Sequence, residues 1–190
     1  MRKVVMINRV SIDGYFASNN TMTGGMDWFV QDPKIDEAVH KLVKSDTLLI
    51  GEVTFELFEK SWVPMLKDPN TPPPLKSVAQ ELTDMRKIVF AKNIKESEWD
   101  NTEFHHDGLI EFVKKLKKED GPDVLIMGSG TIVQQLTRES LIDNYVFIVS
   151  PVVAGNGKTL FKDVQQQSLE LLSTESFSSG NVVLHYQLAK

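Results

Sequence analysis

Glycines that stop short apolar runs and precede amphipathic ones are the residues of this chain best placed to do chemistry. Val124 to Met127 is such a run, bounded by Pro122 and Gly128 and too short for a helix on its own, so it reads as a buried strand. Thr131 to Leu136 begins a helix. Between them, Gly128-Ser129-Gly130 is a tight turn whose glycines permit positive φ and leave backbone N–H groups bare. Bare amides at a helix N-terminus form a site for an anion, most often a phosphate. The pattern recurs where Gly51 stops the strand Thr47 to Ile50 and Val53 to Glu59 restarts as a short helix. Either glycine alone would be only a turn. In a parallel sheet, however, both junctions open at the carboxyl edge, where two sets of amides converge on one extended anionic ligand, and the pair favours a nucleotide cofactor.

Other chemistries fit less well. A dinucleotide fingerprint of the form GxGxxG needs glycine where the chain has Val133. A nucleophile elbow of the form GxSxG fails at Met127 and Thr131, which leaves Ser129 as a turn or phosphate-contacting hydroxyl. The histidines are His40, His105, His106 and His185. Neighbours in an extended segment point to opposite faces, so His105 and His106 do not share a metal, and no metal site is expected. His40 follows Asp36 by four residues and reads as a helix-surface pair. Asp13 ends the first strand, where an α/β sheet opens its ligand crevice. It has two readings: an acid that assists protonation or binds substrate, and the bland one, an Asx-turn at Asp13-Gly14. Trp28 and Phe29 have two readings, lining a pocket or stapling the following helix, of which core packing is favoured.

The elements that must position these residues follow from periodicity. Lys3 to Val10 is a first strand, and Tyr15 to Gly25 a polar loop. Asp32-Pro33 starts a helix with its buried face on Ile35, Ala38, Val39, Leu42 and Val43. Trp62 to Leu75 holds five of the eight prolines and reads as a surface excursion, followed by a helix over Val78 to Met85. Lys87 to Ala91 is a third strand and Asn101 to His105 a short one. Leu109 to Leu116 is an amphipathic helix with Lys114, Lys115, Lys117 and Lys118 on a solvated face. Tyr145 to Val153 is a long strand, and Leu169 to Phe177 with Val182 to Leu188 form a hairpin about Ser178-Ser179-Gly180-Asn181. Alternating strands and helices imply a mainly parallel α/β sheet with helices on both faces and an antiparallel edge.

Composition bounds the rest. A chain of 190 residues, 41% hydrophobic and 25% charged, favours one domain, residues 1–190. With 21 basic and 26 acidic residues and no dense basic cluster, it is not expected to bind nucleic acid. The absence of cysteine excludes disulfides and thiol nucleophiles and suits a reducing cytoplasm. The N-terminus meets Asn8 and Arg9 after a few apolar residues, so no signal peptide is expected, and no apolar run approaches the ~18 residues of a membrane span.

Taken in order, Ser11-Ile12-Asp13-Gly14, Gly51-Glu52-Val53-Thr54-Phe55-Glu56, Ile126-Met127-Gly128-Ser129-Gly130, Leu141-Ile142-Asp143, Pro151 to Gly157 with Leu160-Phe161, and Phe177 to Gly180 with Tyr186 resemble the dihydrofolate-reductase-like family. Within it they resemble the branch typified by the C-terminal reductase domain of bacterial riboflavin biosynthesis protein RibD. The resemblance runs from about Lys3 to Leu188. It implies a three-layer fold and an NADPH-dependent reductase, commonly a homodimer, passing hydride to a C=N or C=O group of a pterin, pyrimidine or related heterocycle. By motif position, Gly51, Val53 and Thr54 hold the pyrophosphate from one side and Gly128, Ser129, Gly130 and Thr131 from the other. Ala91 and Lys92 fall at the adenosine end, with Lys92 near a 2′-phosphate, and Val10 and Ala17 flank the nicotinamide loop. Where the family usually carries Gly-Arg, this chain has Gly51-Glu52, a carboxylate that would repel the same phosphate. The usual Gly-Gly turn is Gly128-Ser129-Gly130, and the acid on the first long helix that dihydrofolate reductases use for the pterin has only Asp32 and Asp36 as neighbours. Glu52 motivates a second reading, a dimeric binding or regulatory protein that keeps the fold without productive cofactor binding.

Overall fold

A computed structural model describes residues 1–189, so Lys190, the last residue of the expected domain, lies outside the described residues. Strand β1 (Val4–Ser11) is apolar on both faces because both are covered. Val4, Met6 and Val10 enter one core cluster, while Val5 and Ile7 enter the other. The short β2 (Tyr15–Ala17) follows a turn closed by the Gly14 N–H on the Ser11 carbonyl at 3.0 Å. Helix α1 (Pro33–Leu42) starts as its sequence predicts: Asp32 Oδ1 accepts the Lys34 N–H at 3.0 Å and Pro33 takes the first helical position. Its Asp36 faces Arg9 at 3.6 Å, while His40 pairs with Glu81 at 3.4 Å, so the expected Asp36–His40 pair is replaced by two contacts to other elements.

Strand β3 (Ser45–Gly51) feeds helix α2 (Glu52–Lys67), which is longer than the short helix expected and passes through Pro64. A proline inside a helix removes a hydrogen bond and costs about 3 kcal/mol. Here Phe55 is buried and Phe58, Trp62 and Val63 pack on the same core cluster, and this apolar stripe carries the helix past the break. Helix α3 (Pro73–Asp84) begins within the run of three prolines, with Pro73 at its first position, so only the residues between α2 and α3 form the expected excursion.

Strand β4 (Arg86–Phe90) carries Lys87, whose side chain is fully buried. Its Nζ donates to the carbonyls of Leu82, Thr83 and Met85 at 2.9, 2.8 and 2.8 Å and lies 4.8 Å from the centre of the Trp99 ring. The lysine thus caps the end of α3. Burial pulls its pKa down to about 8, which leaves it protonated at neutral pH.

Next come β5 (Thr102–His105), α4 (Leu109–Leu116), β6 (Asp123–Met127), α5 (Gly130–Arg138) and β7 (Asn144–Ser150). Of the four lysines assigned to a solvated face, Lys117 is instead a tether, donating to Asp143 at 2.5 Å and to the Leu141 carbonyl at 3.0 Å. Strand β7 stops before Pro151 rather than at Val153, since proline has no N–H for the ladder. Strand β8 (Lys158–Thr159) pairs with β2, which makes part of the expected Tyr15–Gly25 loop a strand. The hairpin β9 (Leu169–Ser176) and β10 (Val182–Leu188) closes the chain, turning at Gly180 with φ +84°.

The main sheet runs β5-β4-β3-β6-β1-β7-β10-β9. From β5 to β7 every pairing is parallel, and β10 is antiparallel to both its neighbours. Helices α1, α2 and α3 cover one face, contributing Ile35, Phe55 and Leu82. On the opposite face, α4 and α5 contribute Val113, Leu116, Ile132 and Leu136. This is the mainly parallel three-layer arrangement with an antiparallel edge that the sequence implies.

Candidate functional site

Because β3 and β6 are adjacent and parallel, their carboxyl ends bring the two glycine junctions together. Ser129 Oγ accepts the Gly51 N–H at 2.9 Å, and Thr54 Oγ1 accepts the Ser129 N–H at 3.0 Å. Two reciprocal bonds therefore lock the N-terminus of α2 to that of α5. Gly51 and Ser129 spend their amides on this lock, so neither offers the bare N–H expected of it. Helix geometry leaves the first-turn N–H groups, including those of Val53, Gly130 and Thr131, without partners inside their helices. Both positive helix ends face one seam, which suits a ligand with two adjacent negative groups.

Backbone conformation sets the turn after β6. Gly128 and Ser129 both lie in the left-handed region, at φ +61° and +56°. For serine that conformation is strained, and such strain concentrates at functional sites. Gly51 differs: its φ is −93°, and a Cβ added there would meet only Ile132 at 3.6 Å and Ser129 at 3.8 Å, ordinary contact distances. Neither packing nor backbone requires glycine at 51. A methyl there would sit beside Ile132 and Ser129 at the edge of the seam, and its absence keeps the backbone at that edge uncovered.

Glu52 does not point into the seam. Its carboxylate accepts the N–H of Lys92 at 2.9 Å and of Asn93 at 3.2 Å, bridging the start of α2 to the end of β4. Those bonds, the Lys92 amide first, hold its pKa below the usual carboxylate value. Ala91 is buried beneath this bridge and accepts from His106 Nδ1 at 2.9 Å, whereas Lys92 is exposed. The ring of His105 packs on Phe90 and Phe112, so the two adjacent histidines serve different neighbours.

Asp13 lies outside the seam. Its carboxylate accepts the N–H groups of Ala154 and Gly155 at 2.9 and 2.8 Å, tying the end of β1 to the loop after β7. The Ser11 hydroxyl first, then the Ala154 amide, hold its pKa down to about 2. With both oxygens engaged by backbone amides, Asp13 organises a loop, and its partners differ from those of the Asx-turn considered for it. Val10 is buried in β1. Ala17 is buried too, with backbone pressed so close that a Cβ on Gly25 or Gly157 would lie 2.7 Å from its Cβ or 2.6 Å from its carbonyl oxygen.

Three residues at the site escape sequence reasoning. Asn8, buried within β1, donates to Met6 Sδ at 3.0 Å and reaches the Gly128 carbonyl at 3.4 Å. An asparagine directly after the apolar run Val4 to Ile7, inside the strand, was the available signal. Phe16 lays its ring on the first turn of α5, where a Cβ on Gly130 would stand 2.8 Å from its Cζ. Arg9 turns its guanidinium toward Asp36 and the Val30 carbonyl, and burial lowers its pKa. Nearby in sequence, Trp28 stacks at a tilt on Phe29 with ring centres 4.3 Å apart, and its buried Nε1 has no acceptor among the described residues.

The family of RibD C-terminal domains matches residues 2–183, and the chain belongs to that family. The uncharacterized protein YyaP of Bacillus subtilis (strain 168) is 32% identical over 187 residues, covering 97% of this chain and 94% of its own. Two solved structures share the fold at low identity. A diaminohydroxyphosphoribosylaminopyrimidine deaminase/5-amino-6-(5-phosphoribosylamino)uracil reductase of Thermotoga maritima superposes with a TM-score of 0.67 at 16% identity, over 99% of this chain and 57% of that one. The dihydrofolate reductase of Enterococcus faecalis, complexed with NADP(H), gives 0.63 at 15% identity, over 99% and 97%. The fold is thus dihydrofolate-reductase-like, and the family includes reductases.

Proposed function

We propose that this protein is a reductase that transfers hydride from a reduced nicotinamide dinucleotide to a C=N or C=O group of a small pterin, pyrimidine or related heterocycle. NADPH is the form that the resemblance implies. The observation that carries the reading is the locked pair of helix N-termini at Gly51, Thr54 and Ser129, opened to a ligand by a glycine that nothing else requires. Val53 and Thr54 on one side and Gly130 and Thr131 on the other would hold the pyrophosphate. Ala91 and Lys92 would lie at the adenosine end and Val10 and Ala17 beside the nicotinamide. When bound, the cofactor supplies the hydride; the chain's own residues bind, orient and exclude water. With both oxygens of Asp13 held by the Ala154 and Gly155 amides, the proton comes from another source.

Isothermal titration with NADPH and NADH, followed by assays of dinucleotide oxidation with aminopyrimidines and pterins, tests this. Saturable binding and oxidation that depends on a heterocycle support it; failure of both dinucleotides to bind would overturn it. The Phe16 ring over Gly130 favours a second reading, a binding protein of the same fold without turnover. Dinucleotide binding with no oxidation on any heterocycle would select that alternative. We further propose a single domain that works in the cytoplasm as a homodimer, supported by the edge strand β9, on which Leu171 and Leu172 are 50% and 45% exposed. A monomeric mass by light scattering would refute the dimer.

A further inference from the structure

We infer that Glu52 makes this site select a dinucleotide with a free 2′-hydroxyl over one that carries a 2′-phosphate. The inference rests on the cofactor reading above and concerns which dinucleotide the site takes. Strand order supplies the first step. The seam lies between β3 and β6, with β1 on one side and β4 on the other. A dinucleotide with its pyrophosphate on the seam and its nicotinamide toward β1 lays its adenosine ribose across the ends of β3 and β4. The carboxylate of Glu52 stands at that place.

The second step is what Glu52 does there. Lys92 and Asn93 present two successive backbone N–H groups at the end of β4, a pair suited to an anion. Glu52 fills that position with its own oxygens, at 2.9 and 3.2 Å, and the side chain is held there from α2. A 2′-phosphate arriving at the same edge meets a fixed negative charge and finds these two donors already taken. A ribose meets an acceptor, since a carboxylate has about four lone-pair sites and two are engaged by the amides. In Rossmann-type sites, a different fold, an acidic side chain takes the ribose 2′-hydroxyl of the unphosphorylated cofactor and an arginine accommodates the phosphate, and the same chemistry holds for a carboxylate here. Lys92 does not reverse this: its amide is committed to Glu52, and its ammonium, exposed and without an ion pair among the described residues, is screened by water.

Direct titration of NADH and NADPH against the wild-type protein, Glu52→Gln and Glu52→Arg reads the assignment through affinity, without turnover. Wild type is expected to bind NADH tighter than NADPH by about fivefold, the order expected for one solvent-exposed like-charge contact at low salt. Glu52→Gln keeps an acceptor and removes the charge, so the two affinities should converge to within about threefold. Glu52→Arg should reverse the order. Should Glu52→Arg fail to fold, as a thermal melt would show, the wild-type and Glu52→Gln ratios still decide. NADPH binding as tightly as NADH to wild type, or an unchanged ratio in Glu52→Gln, overturns the assignment and leaves the reductase reading standing. Binding of neither dinucleotide to wild type overturns both.

Discussion

After β6 the chain turns through two successive left-handed residues, Gly128 and Ser129; after β3 it turns through Gly51 in ordinary extended geometry. The two junctions share a sequence signature and a seam, yet glycine is there for different reasons. At 128 it is demanded by φ +61° and by Thr54, whose side chain would lie 3.2 Å from an added Cβ. At 51 the fold would tolerate a side chain, whereas the dinucleotide of the proposed function would not. The difference teaches that one side of the seam is built to hold a shape and the other to stay bare. The reciprocal hydrogen bonds let the strained side position the bare one.

The largest effect is expected from breaking the strained side. Gly128→Val forces a β-branched residue into the left-handed region and against Thr54, and should cost about 2–3 kcal/mol of stability in urea denaturation. A cost below ~0.5 kcal/mol would show that the turn is not constrained as described. Next come the bonds of the lock. Ser129→Ala and Thr54→Val should each cost about 1 kcal/mol, and the double variant less than their sum, because the two bonds support one another. Strict additivity would mean that the junctions are independent.

Gly51→Ala separates the two sides most cleanly. Its stability should stay within about 0.5 kcal/mol of wild type, while dinucleotide affinity by calorimetry falls about tenfold. Unchanged affinity would remove the argument that the glycine is kept bare for a ligand. Asp13 serves as the contrast from a strand end outside the seam. Because its folded pKa is depressed from 3.8 to about 2, its stabilising contribution is full above the unfolded value and lost as pH falls through the folded one. The thermal-melt advantage of wild type over Asp13→Asn should therefore be present at pH 7 and absent in acid below the folded value. At pH 7 the substitution should leave dinucleotide affinity unchanged, and a large loss would place Asp13 in the site after all.

Sequence legibility divides along physical lines. The strands β1, β3 and β6, the capped start of α1 and all of α4 were readable because local pattern decides them: continuous apolar runs, an Asp-Pro start and a strong helical period. The length of α2 was not, because Pro64 argues locally for a break that Trp62 and Val63 overrule by packing on the core. Nor was the pairing of β2 with β8, whose few residues carry no periodicity and meet only in the folded chain. At the site, the two glycine junctions were visible in the sequence, but their lock was not. That Ser129 Oγ would take the Gly51 amide depends on β3 lying beside β6, and that Glu52 would cap Lys92 and Asn93 depends on β4 lying beside β3. Read without strand order, Glu52 is a charge set against the phosphates of the seam. Within the fold it is a fixed acceptor, and a fixed charge, at the neighbouring strand.

The central claim is that two locked helix N-termini hold the pyrophosphate, and amide NMR tests it most directly. On addition of the more tightly bound of NADH and NADPH, the resonances of Val53, Gly130 and Thr131 should shift together along one binding isotherm. The Ala154 and Gly155 amides, which Asp13 holds, should move little. Saturating dinucleotide that leaves Val53, Gly130 and Thr131 in place while amides elsewhere shift would contradict the account.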